Sequence, residues 1–204
     1  MPMGYPDSLQ NLIDNLRLLP GVGEKTAERF AFSLLERPPE VVKGFADAVT
    51  NAKTNVRNCR ICGNLTEGDN LCPVCLDKAR NQRQILVVAN AKDIIAIERI
   101  NEYKGVYHVL GGVLSSRKGV MPDDLTIDAL LERCANADEV ILATPTDMDG
   151  DITSMYLQKA IPKQYPHILI TRISRGLPSG TALDYADDMT ISHALNDRRK
   201  IDDA

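Results

Sequence analysis

The chain has 204 residues, of which 44% are hydrophobic and 25% are charged, and its formal net charge at pH 7 is −4. This length and composition allow a buried core and leave room for one large or two small domains. The sequence contains no run of 18 apolar residues, and residues 1–10 lack the charged-then-apolar order of a secretion signal, so we expect no membrane span and a cytoplasmic location.

Charge is distributed unevenly along the chain. Residues 1–83 contain 11 Lys and Arg against 10 Asp and Glu, whereas residues 84–204 contain 13 against 18. A surface that binds DNA phosphates is therefore expected in the N-terminal part, with a modest affinity that salt weakens. Because Trp is absent and aromatic residues make up only 4% of the chain, we do not expect stacking of single-stranded bases on aromatic side chains to contribute much to binding.

Three helices are predicted in residues 1–56. Asp7 and Ser8 are able to cap the first helix, which ends at Pro20 and Gly21, and the second helix begins at about Glu24. A third helix follows a pair of prolines and leads into a cysteine-rich segment. The apolar positions predicted to be buried are Leu9, Leu12, Ile13, Leu16 and Leu19 in the first helix, Ala27, Phe30, Ala31, Leu34 and Leu35 in the second, and Val41, Val42, Phe45, Ala48, Val49, Ala52 and Val56 in the third.

The link between the first two helices contains two glycines, Gly21 and Gly23, and has the form of a helix-hairpin-helix. Glycines permit a turn whose backbone N–H groups point outward at the start of a helix, and the helix dipole makes such a place suited to a DNA phosphate. Lys25 and Arg29 lie four residues apart and share one helix face. The pattern predicts DNA binding through the backbone without sequence preference. The alternative is a plain helix connector with two solvated charges.

Four cysteines, Cys59, Cys62, Cys72 and Cys75, form two Cys-x-x-Cys pairs separated by nine residues. This spacing lets four thiolates meet one zinc ion tetrahedrally. Redox pairs or disulfides are the alternatives, but a cytosolic chain disfavours lasting disulfides and a redox motif needs only one pair. Four protein ligands leave no open position, so the predicted zinc is structural. Cys134, far away in the sequence, is interpreted as a small buried apolar residue.

From Gln84 onward, short apolar runs alternate with helical stretches. The predicted strands are 85–88, 106–110, 140–143 and 168–173, and the helical stretches are about 91–102, 125–135 and 152–160. This alternation predicts an α/β fold with a mainly parallel sheet and helices on its faces. His108 and His167 lie in or beside strands and are interpreted as structural. Residues 201–204 are predicted to be a frayed end.

Three carboxylates, Asp147, Asp149 and Asp151, follow the strand 140–143 at its carboxyl end, where such sheets place their sites. They could hold magnesium. In Toprim domains of primases, topoisomerases and small nucleases, an Asp-x-Asp here works with a glutamate at the end of an earlier strand. That position is Ala89 in this chain, which has no proton to transfer and no oxygen for a metal, so catalysis should fail even if magnesium binds weakly. A solvated acidic turn and a partner-binding surface remain open.

The hairpin, the four-cysteine motif and the Toprim-like sheet, in this order and at this length, resemble the RecR family of bacterial recombination mediators over nearly the whole chain. The segments 107–112, 171–180 and 184–187 also look like that family. Together with the motifs, the resemblance gives a helix-hairpin-helix DNA-binding region over 1–56, a zinc finger over 57–80, a Toprim domain over 81–178 and a C-terminal oligomerisation segment over 179–204.

The resemblance also implies a function. It predicts a non-enzymatic homo-oligomer, a dimer or a tetrameric ring able to encircle DNA, that works with RecO and RecF to load RecA at single-stranded gaps. Lys25 and Arg29 match the hairpin residues that contact DNA in that family. The acidic Toprim surface is where partners dock, and the segment 184–199 would help join subunits.

Two departures from the family pattern bear on this expectation. The family often has glutamate where Ala89 stands, and it commonly has glutamates in place of Asp149 and Asp151. These departures leave open a divergent member with altered partner preference. Two competing hypotheses also stay open. One is a Toprim metal-dependent nuclease or primase-like enzyme, and the other is a zinc-stabilised scaffold that does not bind DNA.

Overall fold

A computed structural model of the chain describes residues 4–177 and 179–198. The chain divides into two compact units, residues 1–56 and 57–204. The predicted frayed end at 201–204 lies outside the described residues. In the parts of the chain that are described, no helix is both long enough and apolar enough to cross a membrane.

The first unit consists of three helices, which confirms the prediction of their number. They are α1 (Asp7–Leu16), α2 (Glu24–Leu35) and α3 (Pro39–Asn55). Helices α1 and α2 pack against each other through Leu9, Ile13, Ala27 and Ala31, all of which are buried. Two alanines on α2 allow a close approach, so the contact is a narrow stripe.

The predicted buried faces of α1 and α2 are too broad. Leu19, Phe30 and Leu35 are exposed instead of buried. Leu19 lies beyond the end of α1, because the helix ends at Leu16. Phe30 and Leu35 flank the alanine stripe on either side and point away from it.

Helix α3 forms where the sequence predicts it, but the prediction that its apolar stripe is buried is wrong for the single chain. None of its residues is buried, and Val41, Phe45 and Val49 are each more than half exposed. Val42, Phe45 and Val49 of the stripe line a groove of about 800 Å³ together with Leu34 and Leu35. Periodicity determines which residues share a face. It does not supply the second surface that burial requires.

The cysteine segment begins the second unit with short elements that the sequence did not predict. They are β1 (Val56–Asn58), β2 (Leu65–Glu67) and the single-turn helix α4 (Pro73–Leu76). Strands β1 and β2 form a two-stranded sheet of their own.

A four-stranded parallel sheet follows, as predicted. Its strands are β3 (Asn81–Val88), β4 (Gly105–Val109), β5 (Glu139–Ala143) and β6 (Leu169–Arg172), and the helices between them are α5 (Ala91–Glu98), α6 (Ile127–Cys134) and α7 (Met148–Gln164). The strand order is β4-β3-β5-β6. The chain therefore reverses direction across the sheet between β3 and β5, which is where open α/β sheets place a crevice.

Both faces of the sheet are buried. Ile85, Val87 and Val140 pack against α6 and α7, whereas the intervening residues Leu86 and Val88 pack on the opposite face. Alternate side chains of a strand point to opposite faces. Because both faces are buried here, positions 85–88 are all apolar and the sequence shows a continuous apolar run. Cys134 is fully buried in the first of these clusters, as the sequence analysis interpreted it, and burial raises its pKa to about 11.

The C-terminal segment contains a further helix, α8 (Asp188–Asn196), which the sequence analysis did not predict. None of its residues is buried. Its described contacts with the rest of the unit are polar. The guanidinium of Arg175 lies 3.1 Å from Nε2 of His193, and the backbone N–H of Arg175 donates to the Asp197 carboxylate at 3.3 Å.

His108 is a buried structural residue of β4. Its Nε2 lies 2.9 Å from the carbonyl oxygen of Thr126, and its Nδ1 lies 3.1 Å from Nη1 of Arg133. Arg133 can only donate, so Nδ1 accepts and Nε2 carries the proton that is donated to Thr126. Burial, and secondarily the charge of Arg133, lower the pKa of His108 from 6.5 to about 4.

This depressed pKa predicts a pH-dependent stability. The unfolded chain binds more protons at His108 than the folded chain between pH 6.5 and about pH 4, so the free energy of unfolding should fall as pH falls through that window. The total loss is about 3 kcal/mol. Urea unfolding in steps from about pH 7.5 to about pH 5.5 measures the slope above the range in which carboxyl groups titrate. His108→Gln should flatten it, and an unchanged slope in that variant would contradict the assignment.

Candidate functional site

The four cysteines form a metal site. Their Sγ atoms all lie within 4.8 Å of one another, and those of Cys62 and Cys72 are 3.5 Å apart. Four sulfurs at about 2.3 Å from one zinc ion lie about 3.8 Å from each other in a tetrahedron, so the group fits zinc. Among the described residues, no other set of three or more His, Cys, Asp or Glu side chains meets the same distance limit.

The local backbone positions the first pair of cysteines. The N–H of Gly63 donates to the carbonyl oxygen of Cys59 at 2.8 Å, and the N–H of Asn64 donates to Sγ of Cys62 at 3.4 Å. Gly63 has a φ of +75°, and a Cβ there would lie 3.1 Å from Cβ of Val109. The position therefore requires glycine both for its left-handed conformation and for the close approach of this loop to β4.

The thiols affect one another's ionisation. Burial acts to raise the pKa of Cys59, but the backbone N–H groups of Cys62, Cys72 and Ile61 outweigh it and lower the pKa to about 7. A hydrogen bond with Cys75 and burial raise the pKa of Cys62, and burial raises that of Cys72. Several thiolates in so small a volume repel each other. A divalent cation removes this penalty, because a coordinated thiol is deprotonated outright.

The metal site is part of the hydrophobic core of the second unit. Cys59, Cys62 and Cys72 belong to the same buried cluster as Leu86, Val88, Ile94, Tyr107 and Val109. The N–H of Val109 also donates to the carbonyl oxygen of Cys62 at 2.7 Å. The cysteine segment thus covers the outer edge of β4, which would otherwise present unpaired backbone groups.

Removal of the metal should therefore loosen the edge of the sheet as well as the cysteine segment. Chelation at neutral pH should raise the hydrogen-exchange rate of the Val109 amide by about tenfold or more, because its acceptor on Cys62 is lost. The amide of Leu142 in central strand β5 should keep its protection. Mass-spectrometric or NMR exchange with and without chelator measures both.

Two cysteine variants provide the control. Cys72→Ser should lose zinc and reproduce the exchange of the chelated protein, whereas Cys134→Ala should keep one zinc per chain. Unchanged exchange at Val109 after verified metal loss would show that the metal site and the sheet are independent.

The two-glycine bend lies at the surface of the first unit. The N–H of Val22 donates to the carbonyl oxygen of Leu19 at 3.1 Å, and Gly21 has a φ of +80°. Pro20 and Gly21 occupy the positions that a type II turn favours for them. Gly23 is the N-cap of α2 and, like Gly21, is exposed.

The two basic residues after the bend are exposed and follow each other on one face of α2. Lys25 and Arg29 are one helical turn apart, and the guanidinium of Arg29 lies 5.6 Å from the centre of the Phe30 ring. Glu24 and Glu28 are also one turn apart, on a line rotated by about 100° around the helix axis from Lys25 and Arg29. The bend, the first N–H groups of α2 and a basic stripe therefore share one exposed end of the helix.

The three carboxylates after β5 have different local roles. Asp147 is the N-cap of α7, where its Oδ1 accepts from the N–H of Gly150 at 2.8 Å. Asp151 pairs with Arg172 at 2.6 Å and with Arg175 at 3.0 Å. Burial acts to raise the pKa of Asp151, but the two arginines outweigh it and lower the pKa. In this arrangement, Oδ1 of Asp147 and both carboxylate oxygens of Asp151 already accept hydrogen bonds.

A cleft of about 350 Å³ lies at the carboxyl ends of the strands. Its lining includes Asp93, Thr144, Thr146, Arg172 and Ser174. Asp93 and Arg172 were not among the residues predicted for this site. The available signal was that Arg172 is the next-to-last residue of the predicted strand 168–173, and that Asp93 lies three residues after Asn90, with which it forms a capping box.

The residue at the carboxyl end of β3 is a buried alanine. Ala89 directly follows β3 and is buried. Its carbonyl oxygen accepts from the N–H of Gly111 at 3.1 Å. The methyl side chain supplies no acid, base or metal ligand at this end of the sheet.

Comparison with known proteins matches nearly the whole chain. Family models match at residues 9–53 (RecR, helix-hairpin-helix), 56–77 (RecR, four-cysteine zinc finger domain), 83–174 (Toprim domain) and 176–199 (RecR, C-terminal). Two curated relatives are the recombination protein RecR of Limosilactobacillus reuteri strain DSM 20016 and that of L. reuteri subsp. reuteri strain JCM 1112. Each is 44% identical over 200 residues, which cover 97% of this chain and 98% of the relative. The zinc ligands, the parallel sheet and these matches agree, and the chain belongs to the RecR family of recombination proteins.

Proposed function

We propose that this protein is a non-catalytic mediator of DNA recombination and repair that binds DNA as a ring-shaped homo-oligomer and works with RecO and RecF to load RecA at single-stranded gaps. The observation that carries the proposal is the exposed two-glycine bend followed by Lys25 and Arg29. Family membership supports the rest of the role. We place its action in the cytoplasm, where the bacterial chromosome lies.

DNA contact follows from the chemistry of the bend. Among the described backbone hydrogen bonds, the N–H groups of Glu24 and Lys25 have no acceptor, and they lie at the positive end of the dipole of α2. A phosphate there accepts from the backbone, while Lys25 and Arg29 neutralise its neighbours along the strand. These contacts do not reach base edges, so binding is independent of sequence and sensitive to salt.

Self-association follows from the exposed stripe of α3. Val42, Phe45 and Val49 line an apolar groove that stays open in the single chain. Monomeric proteins rarely expose a continuous apolar patch of this kind. A second copy that covers the groove would bring two bends onto the same DNA, and two weak contacts then bind far more tightly than one. The segment 184–199 would supply further contacts between subunits.

Partner docking is assigned to the acidic surface at the start of α7. Among the residues that the structure describes, Asp149 takes part in no ion pair, whereas Asp151 is held by two arginines. Asp147 and Asp149 would therefore present charge to a basic partner surface, and Asp151 would act by fixing Arg172 and Arg175. The shorter Asp side chains, where the family commonly has Glu, reduce the reach of these contacts by one methylene.

The absence of catalysis is proposed on the basis of Ala89. A Toprim reaction needs a group that moves a proton or supports a metal at the end of β3, and this chain offers a buried methyl group there. Asp147 and Asp151 are also engaged within the chain.

Charge reversal at the hairpin tests the DNA contact. Lys25→Glu/Arg29→Glu should weaken retention of DNA of any sequence by about tenfold or more and should reduce the salt dependence of binding. Lys159→Glu/Lys163→Glu, with the same change in net charge on α7, is the matched control and should bind as the parent protein does. Anisotropy titrations at several salt concentrations measure both. Equal retention by the hairpin variant and the control would favour the scaffold hypothesis.

Incubation with DNA and divalent metals tests the enzyme hypothesis. We expect no cleavage or strand joining with magnesium or manganese, because the end of β3 lacks the required carboxylate. Gel analysis of labelled DNA over hours checks this. Metal-dependent cleavage that disappears in Asp147→Ala or Asp149→Ala would overturn the non-catalytic proposal.

A further inference from the structure

A second candidate binding site lies between α6 and the C-terminal half of α7, far along that helix from the acidic cluster. It is a pocket of about 310 Å³, here called the α6–α7 pocket. Its lining residues are Leu131, Tyr156, Lys159, Ala160, Lys163 and Gln164.

The floor of the pocket is apolar. Leu131 is half-buried and packs against the core behind it, and Ala160 leaves space because its side chain is a single methyl group. The ring of Tyr156 forms one wall and is 39% exposed. Ile152 and Met155, both exposed, continue the apolar surface along α7. A bulky apolar side chain of a partner fits such a floor, and Tyr and Met are common at binding surfaces.

The rim of the pocket is basic. Lys159 and Lys163 are exposed and lie one turn apart on the same face of α7. Neither takes part in an ion pair within the described part of the chain. This is notable because residues 84–204 carry five more acidic than basic side chains. The two ammonium groups therefore form a local positive site on an acidic background.

We propose that the α6–α7 pocket binds a short acidic peptide segment of a partner protein, with one bulky apolar side chain on the floor and carboxylates at Lys159 and Lys163. Charge complementarity selects this occupant. Two cations on an acidic background offer little to a nucleic acid. A second copy of this chain has a net charge of −4, so the acidic surface around the pocket would repel it as a whole. The site is independent of the hairpin and does not rest on the DNA contact proposed above.

The test is a binding titration with a synthetic probe. The probe is a fluorescein-labelled octapeptide in which one phenylalanine is flanked by aspartates, and its two controls replace the phenylalanine by alanine or the aspartates by asparagine. Saturable binding is expected for the probe, with a loss of about tenfold for each control peptide. Binding of the alanine peptide as tightly as the probe would overturn the proposal.

Protein variants locate the binding on the chain. Lys159→Glu/Lys163→Glu should lose the probe, Lys159→Arg/Lys163→Arg should keep it, and Ala160→Leu should weaken it by filling the floor. Lys92→Glu/Lys118→Glu reverses the same number of charges at exposed positions elsewhere in the unit and should bind as the parent does.

Two binding results would contradict the site: Lys159→Glu/Lys163→Glu binds the probe at the affinity of the parent, or the Lys92→Glu/Lys118→Glu control loses as much probe affinity as that variant. A smaller oligomer for Lys159→Glu/Lys163→Glu in light scattering would also contradict it, because it would assign the pocket to a second copy. Thermal melting verifies folding, and Lys159→Gln/Lys163→Gln replaces the reversal if that variant does not fold. DNA binding by the hairpin is measured on the same samples, so failure of the pocket and failure of the DNA contact are distinguished.

Discussion

The convergence of four thiolates is the constraint on which the second unit depends. Three of the cysteines lie in the same buried cluster as Leu86 and Tyr107 of the sheet. A segment of about twenty residues with two three-residue strands cannot bury enough surface to fold by itself, so it needs both the metal and the sheet. The sheet also depends on the segment, because the carbonyl oxygen of Cys62 accepts a hydrogen bond from the N–H of Val109 at the outer edge of β4.

The same sheet places a charged cleft at the carboxyl ends of its strands. The strand order puts a crevice between β3 and β5 there, where open α/β sheets bind their ligands. In this chain, the residue after β3 is the buried Ala89. Asp147 caps α7, and Asp151 forms ion pairs with two arginines. The site carries a carboxylate paired with two arginines, and the alanine at the end of β3 offers no group that transfers protons. These features support the proposal that the surface recognises basic partners.

The sequence predicted most of the architecture, for identifiable reasons. Continuous apolar runs such as 85–88 indicate strands covered on both faces, and the spacing of the cysteines has few interpretations other than zinc. Turn chemistry predicted the bend at Gly21 because a left-handed residue is needed there. Each of these features is determined within a few neighbouring residues.

The missed features depend on tertiary context. Burial of the α3 stripe needs a surface that the single chain does not provide, and the exposure of Phe30 and Leu35 depends on how closely two alanines let α1 approach. The ion pairs of Asp151 join residues more than twenty positions apart, so no local pattern announces them. The α6–α7 pocket is likewise formed by two helices that are separate in the sequence. Periodicity identifies faces, and only packing decides what covers them.

The central claim of this account is that a closed four-sulfur zinc site and the parallel sheet form one core. X-ray absorption at the zinc edge of the purified protein tests it most directly. The account predicts one zinc per chain with four sulfur neighbours at about 2.3 Å and no nitrogen or oxygen in the first coordination shell. A nitrogen or oxygen ligand in that shell would contradict it, as would a chain purified without zinc whose Val109 amide exchanges as slowly as in the zinc-bound protein.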